Sequence, residues 1–342
     1  MLAPDMKTAV VILNYNTRDY LRKFLPGLLD SCRGRDAQLI VADNGSEDGS
    51  VQLMQTEFPG VPLIVMERNY GFTGGYNRAL KGLDAEYYVL INSDIEVPPD
   101  WLEPLVEWMD SHPRCGACGP KLISYERRDS FEYAGAAGGL LDRYGYPFCR
   151  GRLLQKIEKD KGQYDTPADV LWVSGACLLV RASVWNNLGG LDERFFAHME
   201  EIDLCWRMQL QGWKVSVVPS SRVFHIGGGT LPNESPFKLR LNFRNNLLLL
   251  ENNLPATFVA QGLPEQKARQ KARRRILARM CLDGASALMY LITRRWSFYQ
   301  SVVAAHQEYR KLRRPGSIPG TASVPEGLVN KAVVLKALLG KK

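Results

Sequence analysis

Four times in its first third the chain repeats one pattern: a short apolar run stops abruptly on polar residues, and helix-spaced apolar positions follow. Residues 8–13 (TAVVIL) end on Asn14-Tyr15-Asn16-Thr17 before an amphipathic stretch over 18–29. Residues 38–42 (QLIVA) end on 43–50 (DNGSEDGS), with a helix expected over 51–58. A third short strand at 63–66 leads into 69–77 (NYGFTGGYN) and a helix through Leu80. Residues 87–91 (YYVLI) stop at Asn92-Ser93-Asp94, and Val97-Pro98-Pro99-Asp100 opens a helix with Leu102, Leu105, Val106 and Met109 at helical spacing. Consecutive strand-then-helix units predict an α/β protein built on a doubly wound, mostly parallel sheet.

In open sheets of this kind ligands bind outside the carboxyl ends of the strands. Asp94, at the end of a central strand, is placed to hold a divalent cation against phosphates, although Asn, Ser and Asp also serve simply to begin a turn. Gly71, Gly74 and Gly75 permit either a ligand's approach to the backbone at a helix N-terminus or tight packing. They do not fit GxGxxG, and no GxxxxGK[ST] occurs, which excludes the common dinucleotide and P-loop readings.

The net charge of +8 is unevenly spread. Residues 265–314 hold 13 Lys/Arg against three acids (Glu265, Asp283, Glu308), a net of +10 that leaves −2 for the rest of the chain. Within this segment Leu277, Cys281, Ala285, Leu288 and Ile292 form a helical stripe flanked by Arg273, Arg274, Arg275, Arg279, Arg294 and Arg295. Its apolar stretch 280–292 is 13 residues long and contains Asp283, short of the roughly 20 needed to cross a bilayer. With Tyr290, Trp296 and Phe298 the segment suits an anionic membrane surface, and it suits equally a helix packed on the core with its arginines in solvent. No recognition motif accompanies it that would point to nucleic acid. From Pro315 the composition (SIPGTASVPEG at 317–327) reads as a flexible linker before a short helix at 329–339.

Seven scattered cysteines make no disulfide framework, and the lone CxxC at Cys115 and Cys118 lacks the second pair a zinc site needs. Nothing before residue 8 reads as a cleavable signal peptide, so a reducing cytoplasm is the expected location.

The segments 10–21 (VVILNYNTRDYL), 41–50 (VADNGSEDGS), 69–80 (NYGFTGGYNRAL), 90–102 (LINSDIEVPPDWL), 173–185 (VSGACLLVRASVW), 188–213 (LGGLDERFFAHMEEIDLCWRMQLQGW) and 223–230 (VFHIGGGT), in that order, resemble the family 2 glycosyltransferases of GT-A fold. They are most similar to the bacterial branch called rhamnosyltransferase-like. The likeness runs from about residue 8 to about 253. It implies a GT-A domain over 1–255, with a nucleotide-binding half to about 120 and an acceptor and catalytic half beyond. A basic helical extension over 256–314 and a tail over 315–342 complete the expected organisation.

The resemblance also implies roles. A nucleotide diphosphate sugar would be the donor and a bacterial cell-surface glycan, lipid-linked, the acceptor, with inversion at the transferred carbon. Asp43 would read the base, which the 14–16 loop (Asn14, Asn16) lines, and Asn69, Gly74, Asn77, Asn92 and Ser93 would complete the donor site. Asp94 corresponds to the last acid of the family's DxD-type motif, and Asn92 stands where many relatives have the first acid. A Mg²⁺ or Mn²⁺ ion would therefore have one carboxylate here. His225, read as lying after a strand over 214–218 and before Gly227, Gly228 and Gly229, resembles the histidine that adds a second contact. Glu201, second of the pair Glu200-Glu201, stands where the family's catalytic base is usually Asp, with Asp203 as rival; Ser174, Gly175 and Trp206 fall on the acceptor side. Residues 125–166, rich in Gly, Tyr and charge, read as acceptor-side loops. The Asn92 and Glu201 departures leave open a relative that binds nucleotide sugar or glycan without turnover.

Overall fold

The computed structural model describes residues 6–227, 235–316, 318 and 323–340; Gly228 and Gly229 lie outside them. The chain opens with β1 (Met6–Asn14), α1 (Arg18–Cys32), β2 (Ala37–Asp43), α2 (Ser50–Glu57), β3 (Leu63–Val65), α3 (Gly71–Ala79), β4 (Ala85–Ile91), the short β5 (Ile95–Glu96), α4 (Glu103–Ser111) and β6 (Cys115–Ser124). β1 pairs in parallel with β2 and β4, and β2 in parallel with β3, so Asn14, Asp43 and Asn92 finish at one edge. These strands read as continuous apolar runs because helices cover both faces: Val11 and Leu90 belong to one buried cluster, Val10, Ile12 and Val89 to the other.

Residues 125–166 are more ordered than loops. They carry β7 (Gly139–Leu141), β8 (Pro147–Cys149), β9 (Arg152–Leu153) and β10 (Lys156–Ile157), a small antiparallel sheet in sequence order. β11 (Ala168–Asp169) returns to the main sheet, and β12 (Cys177–Arg181) inserts antiparallel between β4 and β6. After α5 (Ala182–Leu188) and α6 (Glu200–Leu210), β13 (Lys214–His225) pairs in parallel with β6. The expected strand stopped at Val218 because Pro219 follows. The observed strand runs on to His225 through a register shift between Val218 and Arg222, the kind of irregularity in which proline is tolerated. His225 is thus the last residue of the strand rather than part of a following loop.

Three helices complete the molecule: α7 (Pro236–Ala260), α8 (Glu265–Ile292) and α9 (Trp296–Leu312). α7 is buried nearly all round its middle, Leu247, Leu248, Leu249 and Leu250 together with the polar Arg244, Asn245, Asn246, Glu251 and Asn253, because α6, α8 and α9 enclose it. α8 packs through Ala268, Ala272, Ile276, Arg279, Asp283 and Ala287, whereas Leu277, Cys281, Ala285, Leu288 and Ile292 are exposed. The described part of the tail is not a free linker: Ser323 N–H donates to Leu210 O, Val329 N–H to Leu141 O, and α10 (Val333–Leu338) is tied to Asp142 through Val334 N–H. Gly327, with φ of +73° and a would-be Cβ 2.5 Å from the Leu171 backbone nitrogen, lets the tail cross that close.

Candidate active site

The carboxyl edge of β1, β2 and β4 is tied into one polar network. Asn14 Nδ2 donates to Asp43 Oδ2 (2.8 Å) and to Ser46 Oγ (3.1 Å), and Ser46 N–H donates to Asp43 Oδ1 (2.8 Å). Thr17 Oγ1 bridges Asn14 Oδ1 (2.6 Å) and Ser93 Oγ (2.7 Å), joining the first loop to the β4 edge. Asn16, held at φ +52°, accepts from Glu47 N–H and donates its own N–H to Ser46, which locks two loops together at the rim. Asp43 is almost wholly buried beneath them. Asn69 Oδ1 accepts from Gly71 N–H (2.8 Å) and Asn44 Nδ2 (3.1 Å) at the start of α3.

Beyond β4, the Asp94 carboxylate lies 3.2 Å from His225 Nε2, and Asn92 Nδ2 lies 3.5 Å from the same nitrogen. The other ring nitrogen, Nδ1, lies 3.4 Å from Glu132 Oε1. All three of Asp94, Glu132 and His225 are buried. Burial by itself would raise the Asp94 carboxyl, but the imidazole's hydrogen bond and charge take it below the ordinary carboxylate range. Burial would lower His225, and the two carboxylates override it, pushing it up to about 10. Glu132 therefore orients the ring: with Nδ1 turned to one carboxylate, Nε2 is the nitrogen presented beside Asp94. Nothing in the sequence around Glu132 marks it; the chain turns back along β6, bridging Ile123 to Phe131 with Glu132 N–H donating to Leu122 O, and so brings it there.

The third group sits at the N-terminus of α6. A 3-10 turn (Glu193–Phe195) leads into Phe196, His198 and Met199, which all carry positive φ (+63°, +71°, +73°). Such backbone persists only when its surroundings over-determine it, and here α7 does so. Asn245 Nδ2 donates to the carbonyls of Phe195, Ala197 and His198 (2.7–2.9 Å), and Arg244 Nη2 adds a second bond to Phe195 O (2.7 Å). The turn delivers Glu200 and Glu201 into a site where Glu200 Oε2, Glu201 Oε2 and His198 Nε2 are buried and have no hydrogen-bond partner among the described residues. Burial pushes Glu201 up to about 7 against the pull of backbone N–H groups at the helix start. Burial and the neighbouring Glu201 charge push Glu200 well up. A β-carbon placed on Gly175 would lie 3.5 Å from Glu201 Cβ and 3.4 Å from Phe72, and the next residue, Ala176, accepts from Asn92 N–H (2.9 Å). Residues 174–176 thus connect the start of α6 to the β4 edge, with Ser174 buried and its Oγ accepting from Ala176 N–H.

The profile described as glycosyl transferase family 2 matches residues 9–184, more than half of the chain. The chain belongs to glycosyltransferase family 2. Among curated relatives it is 31% identical to an N-acetylglucosaminyl-diphospho-decaprenol L-rhamnosyltransferase of Mycobacterium tuberculosis, over 63% of this chain and 75% of that one. It is 27% identical to the rhamnosyltransferase WbbL of Escherichia coli, over 63% and 82%. These likenesses put this glycosyltransferase in the rhamnosyltransferase-like branch. Its fold is similar to that of GalNAc-T7, solved with UDP, GalNAc and Mn²⁺ (TM-score 0.56, 15% identity, 82% of this chain and 57% of that one). It is also similar to that of the mannosyltransferase PcManGT from Pyrobaculum calidifontis, solved with GDP-Man and Mn²⁺ (TM-score 0.52, 15% identity, 92% and 90%). The α/β architecture with a GT-A-type, mostly parallel sheet is the one the sequence led us to expect.

Within this glycosyltransferase several expected site residues have other occupations. Asp203 is fully buried, paired with Arg207 Nε (2.7 Å) and accepting from Asn252 (2.9 Å) and Asn253 (2.8 Å), so it anchors α6 to α7. Trp206 is likewise enclosed, its Nε1 donating to Thr257 Oγ1 (2.9 Å), and belongs to the core rather than the acceptor side. Asn77 binds both backbone groups of Leu191 (2.8 and 2.9 Å), which uses its amide for packing α3 on the 190–193 turn. Gly74 lies inside α3 with Tyr70 and Arg78 filling the space above it, and Gly75 abuts Leu13; the glycine-rich stretch is helix, packed close. Among the described residues no three His, Cys, Asp or Glu side chains converge as a complete metal site. The Asp94 carboxylate and His225 Nε2 fit a divalent cation whose remaining ligands come from elsewhere, one hard oxygen donor and one imidazole nitrogen, provided the cation displaces the proton that the two carboxylates hold on the ring.

Proposed function

We propose that this enzyme transfers a sugar, rhamnose or a related deoxyhexose, from a nucleotide diphosphate to a hydroxyl of a growing cell-envelope glycan, with inversion, and that the acceptor is lipid-linked. The names of the Mycobacterium and Escherichia relatives support the sugar and, for the former, the lipid-diphosphate acceptor. The observation that carries the catalytic reading is Glu201: a carboxylate pushed up to about 7 in the first turn of α6, just after a turn of positive φ and close against Gly175, whose neighbour Ala176 is bonded to Asn92 at the β4 edge. A general base works best with a pKa near the working pH.

In this reading the donor's base lies over the Asn14–Asp43–Ser46 network with Asn16 and Asn69 at its rim, and the diphosphate reaches Asn92, Ser93 and Asp94. Asp94 and His225 would hold a Mg²⁺ or Mn²⁺ ion, which when bound neutralises the charge gathering on the departing diphosphate. Glu201 accepts the proton of the acceptor hydroxyl as its oxygen attacks the anomeric carbon. The bond from that carbon to the diphosphate oxygen breaks on the opposite side, and the diphosphate leaves with the bonding electrons. Glu132 keeps Nε2 of His225 turned to Asp94, and Asn245 keeps Glu201 on its turn. All seven cysteines are free, which suits a reducing cytoplasm, and a lipid-linked acceptor places the enzyme on the cytoplasmic face of a membrane. A panel of nucleoside diphosphate sugars, assayed for cation-dependent hydrolysis and transfer, tests the reading. Turnover of a deoxyhexose donor that EDTA stops is expected. Binding of a nucleotide sugar with no turnover under any cation would make this a silent relative instead.

A further inference from the structure

We propose that the hairpin tip formed by the end of α8 and the start of α9 is a membrane-interface anchor that inserts among anionic lipids and holds the mouth of the active site against the bilayer. The observation behind it is the outward face of α8. Leu277, Leu288, Met289 and Ile292 are 55–66% exposed, and Trp296 at the start of α9 is 59% exposed. At 3.6 residues per turn, 277, 281, 285, 288 and 292 lie opposite the buried stripe 268, 272, 276, 279, 283 and 287, so the two faces serve different purposes. The inner face packs on α7. The outer one carries large apolar side chains that no part of the described chain covers, which in a soluble protein marks an interaction site.

Charge selects the partner. Every acid of residues 265–314 is engaged: Glu265 with Arg269, buried Asp283 with Arg279 and His306, and Glu308 with Arg240 and Arg244. Arg273, Arg274 and Arg294 are exposed and make no ion pair among the described residues. Arg295 lies over the rings of Phe298 (4.0 Å) and Tyr290 (5.6 Å), which braces the turn between the helices. Exposed arginines around large apolar side chains match an anionic lipid surface, and two copies of so basic a face would repel one another. No helix among the described residues is long and apolar enough to cross a membrane, so the segment lies in the interface.

Register places the tip. α8 runs back along α7, with Arg275 over Phe258 and Arg279 bonded to Asn246, while α9 sets Glu308 beside Arg244 and Arg240 and Tyr309 beside Glu251. Carried along the helices, these pairings bring Ile292 and Trp296 level with the N-terminus of α7. There Phe237 packs on Phe196 (6.2 Å), and Asn245, just over two turns further along α7, holds the turn that leads to Glu201. The anchor and the base are at the same end of the molecule. The benefit of that placement, access to a lipid-linked acceptor, rests on the function proposed above; the anchor itself does not.

The test is co-sedimentation of the full chain with vesicles of phosphatidylcholine alone and of phosphatidylcholine with phosphatidylglycerol. We expect binding to the anionic vesicles that weakens as salt rises, and a loss of about 100-fold or more in the Leu288→Ser, Ile292→Ser, Trp296→Ser triple variant. The substituted side chains are exposed, so thermal unfolding and hydrolysis of the water-soluble donor should match the parent. A parent that ignores anionic vesicles, or a triple variant that binds them equally well, overturns the proposal. So does a parent that forms dimers which the variant abolishes while neither binds vesicles. Donor hydrolysis by the same samples reports on the catalytic reading separately, since it needs no membrane.

Discussion

Replacing Glu201 by Gln keeps the shape of the side chain and removes the group that accepts the proton. Loss of a positioned base lowers turnover by roughly 10²–10⁴-fold, so transfer should fall by that much while donor affinity stays within a few-fold. The structure adds a second, independent signature. In the folded chain burial moves this carboxyl from its ordinary 4.5 to about 7. A raised acid means that the native state holds a proton which the unfolded chain has released between those two values. Native stability therefore falls as pH rises through that window, and the cost is complete above 7, with a ceiling of about 3 kcal/mol. Glu201→Gln removes that cost, so the variant should unfold at a higher temperature than the parent at pH 8 and show little gain at pH 4. The parent's kcat/KM should rise about tenfold between pH 6 and pH 8 as the base ionises, and the variant's residual rate should be flat there. Single-turnover transfer across pH, read beside thermal unfolding at the same pH values, measures all three. A variant that transfers at near the parental rate, or that is less stable at pH 8 than the parent, would refute the assignment.

Asp94→Ala should lower cation-dependent turnover by more than about 100-fold and abolish saturation by Mn²⁺; near-normal activity at high Mn²⁺ would remove Asp94 from the metal site. Glu132→Gln leaves His225 in place but loosens its orientation, so Mn²⁺ affinity measured by direct titration of the donor-bound protein should weaken about 10- to 100-fold, and an unchanged affinity would show that Glu132 is packing only. Asp203→Ala strands Arg207, Asn252 and Asn253 in the core and should cost about 3–5 kcal/mol of unfolding free energy, while turnover per folded molecule stays within a few-fold.

The sheet was legible because β1, β2 and β4 are buried on both faces, and that burial writes itself into sequence as unbroken apolar runs ending on polar residues. Asn14, Asp43, Asn92 and Asp94 were legible for the same reason, since a residue just past such a run must lie at the carboxyl edge. Glu132 and Asn245 were not. Each acts on a partner 93 and 47 residues or more away, His225 and the 195–198 carbonyls, and neither carries a local pattern. Periodicity found the apolar stripe of α8 but could not say which side the core takes. The side it takes carries Arg279 and Asp283, whose charges are tolerated because they satisfy each other at 2.7 Å. Asn77, Gly74 and Trp206 lie inside recognised motifs, where sequence alone does not separate ligand contacts from residues that hold the motif's own backbone together, and in the structure each has a packing partner.

Glu200, Glu201 and Asp203 look interchangeable in sequence, three acids in the first turn of a helix whose dipole favours negative charge. Helical geometry separates them. Residues two apart do not share a face, so Glu201 and Asp203 cannot both look into one cleft. Asp203 turns to α7, where Asn252 and Asn253 fix it beside Arg207 of its own helix, and that leaves the Gly175 side, next to Asn92, to Glu201. Glu200, the most deeply buried of the glutamates, is pushed well up by burial and by the neighbouring Glu201 charge, whereas Glu201 is raised less, with backbone N–H groups at the helix start pulling against its burial. The Glu201→Asp variant probes that division of labour. Shortening the side chain by one methylene draws the carboxylate back toward the helix start, away from the acceptor. If proton transfer depends on the reach of glutamate from this strained turn, the shorter acid should bind donor normally, titrate lower than the parent and transfer far more slowly. Parental rates with aspartate would mean that the turn itself has room to advance the base.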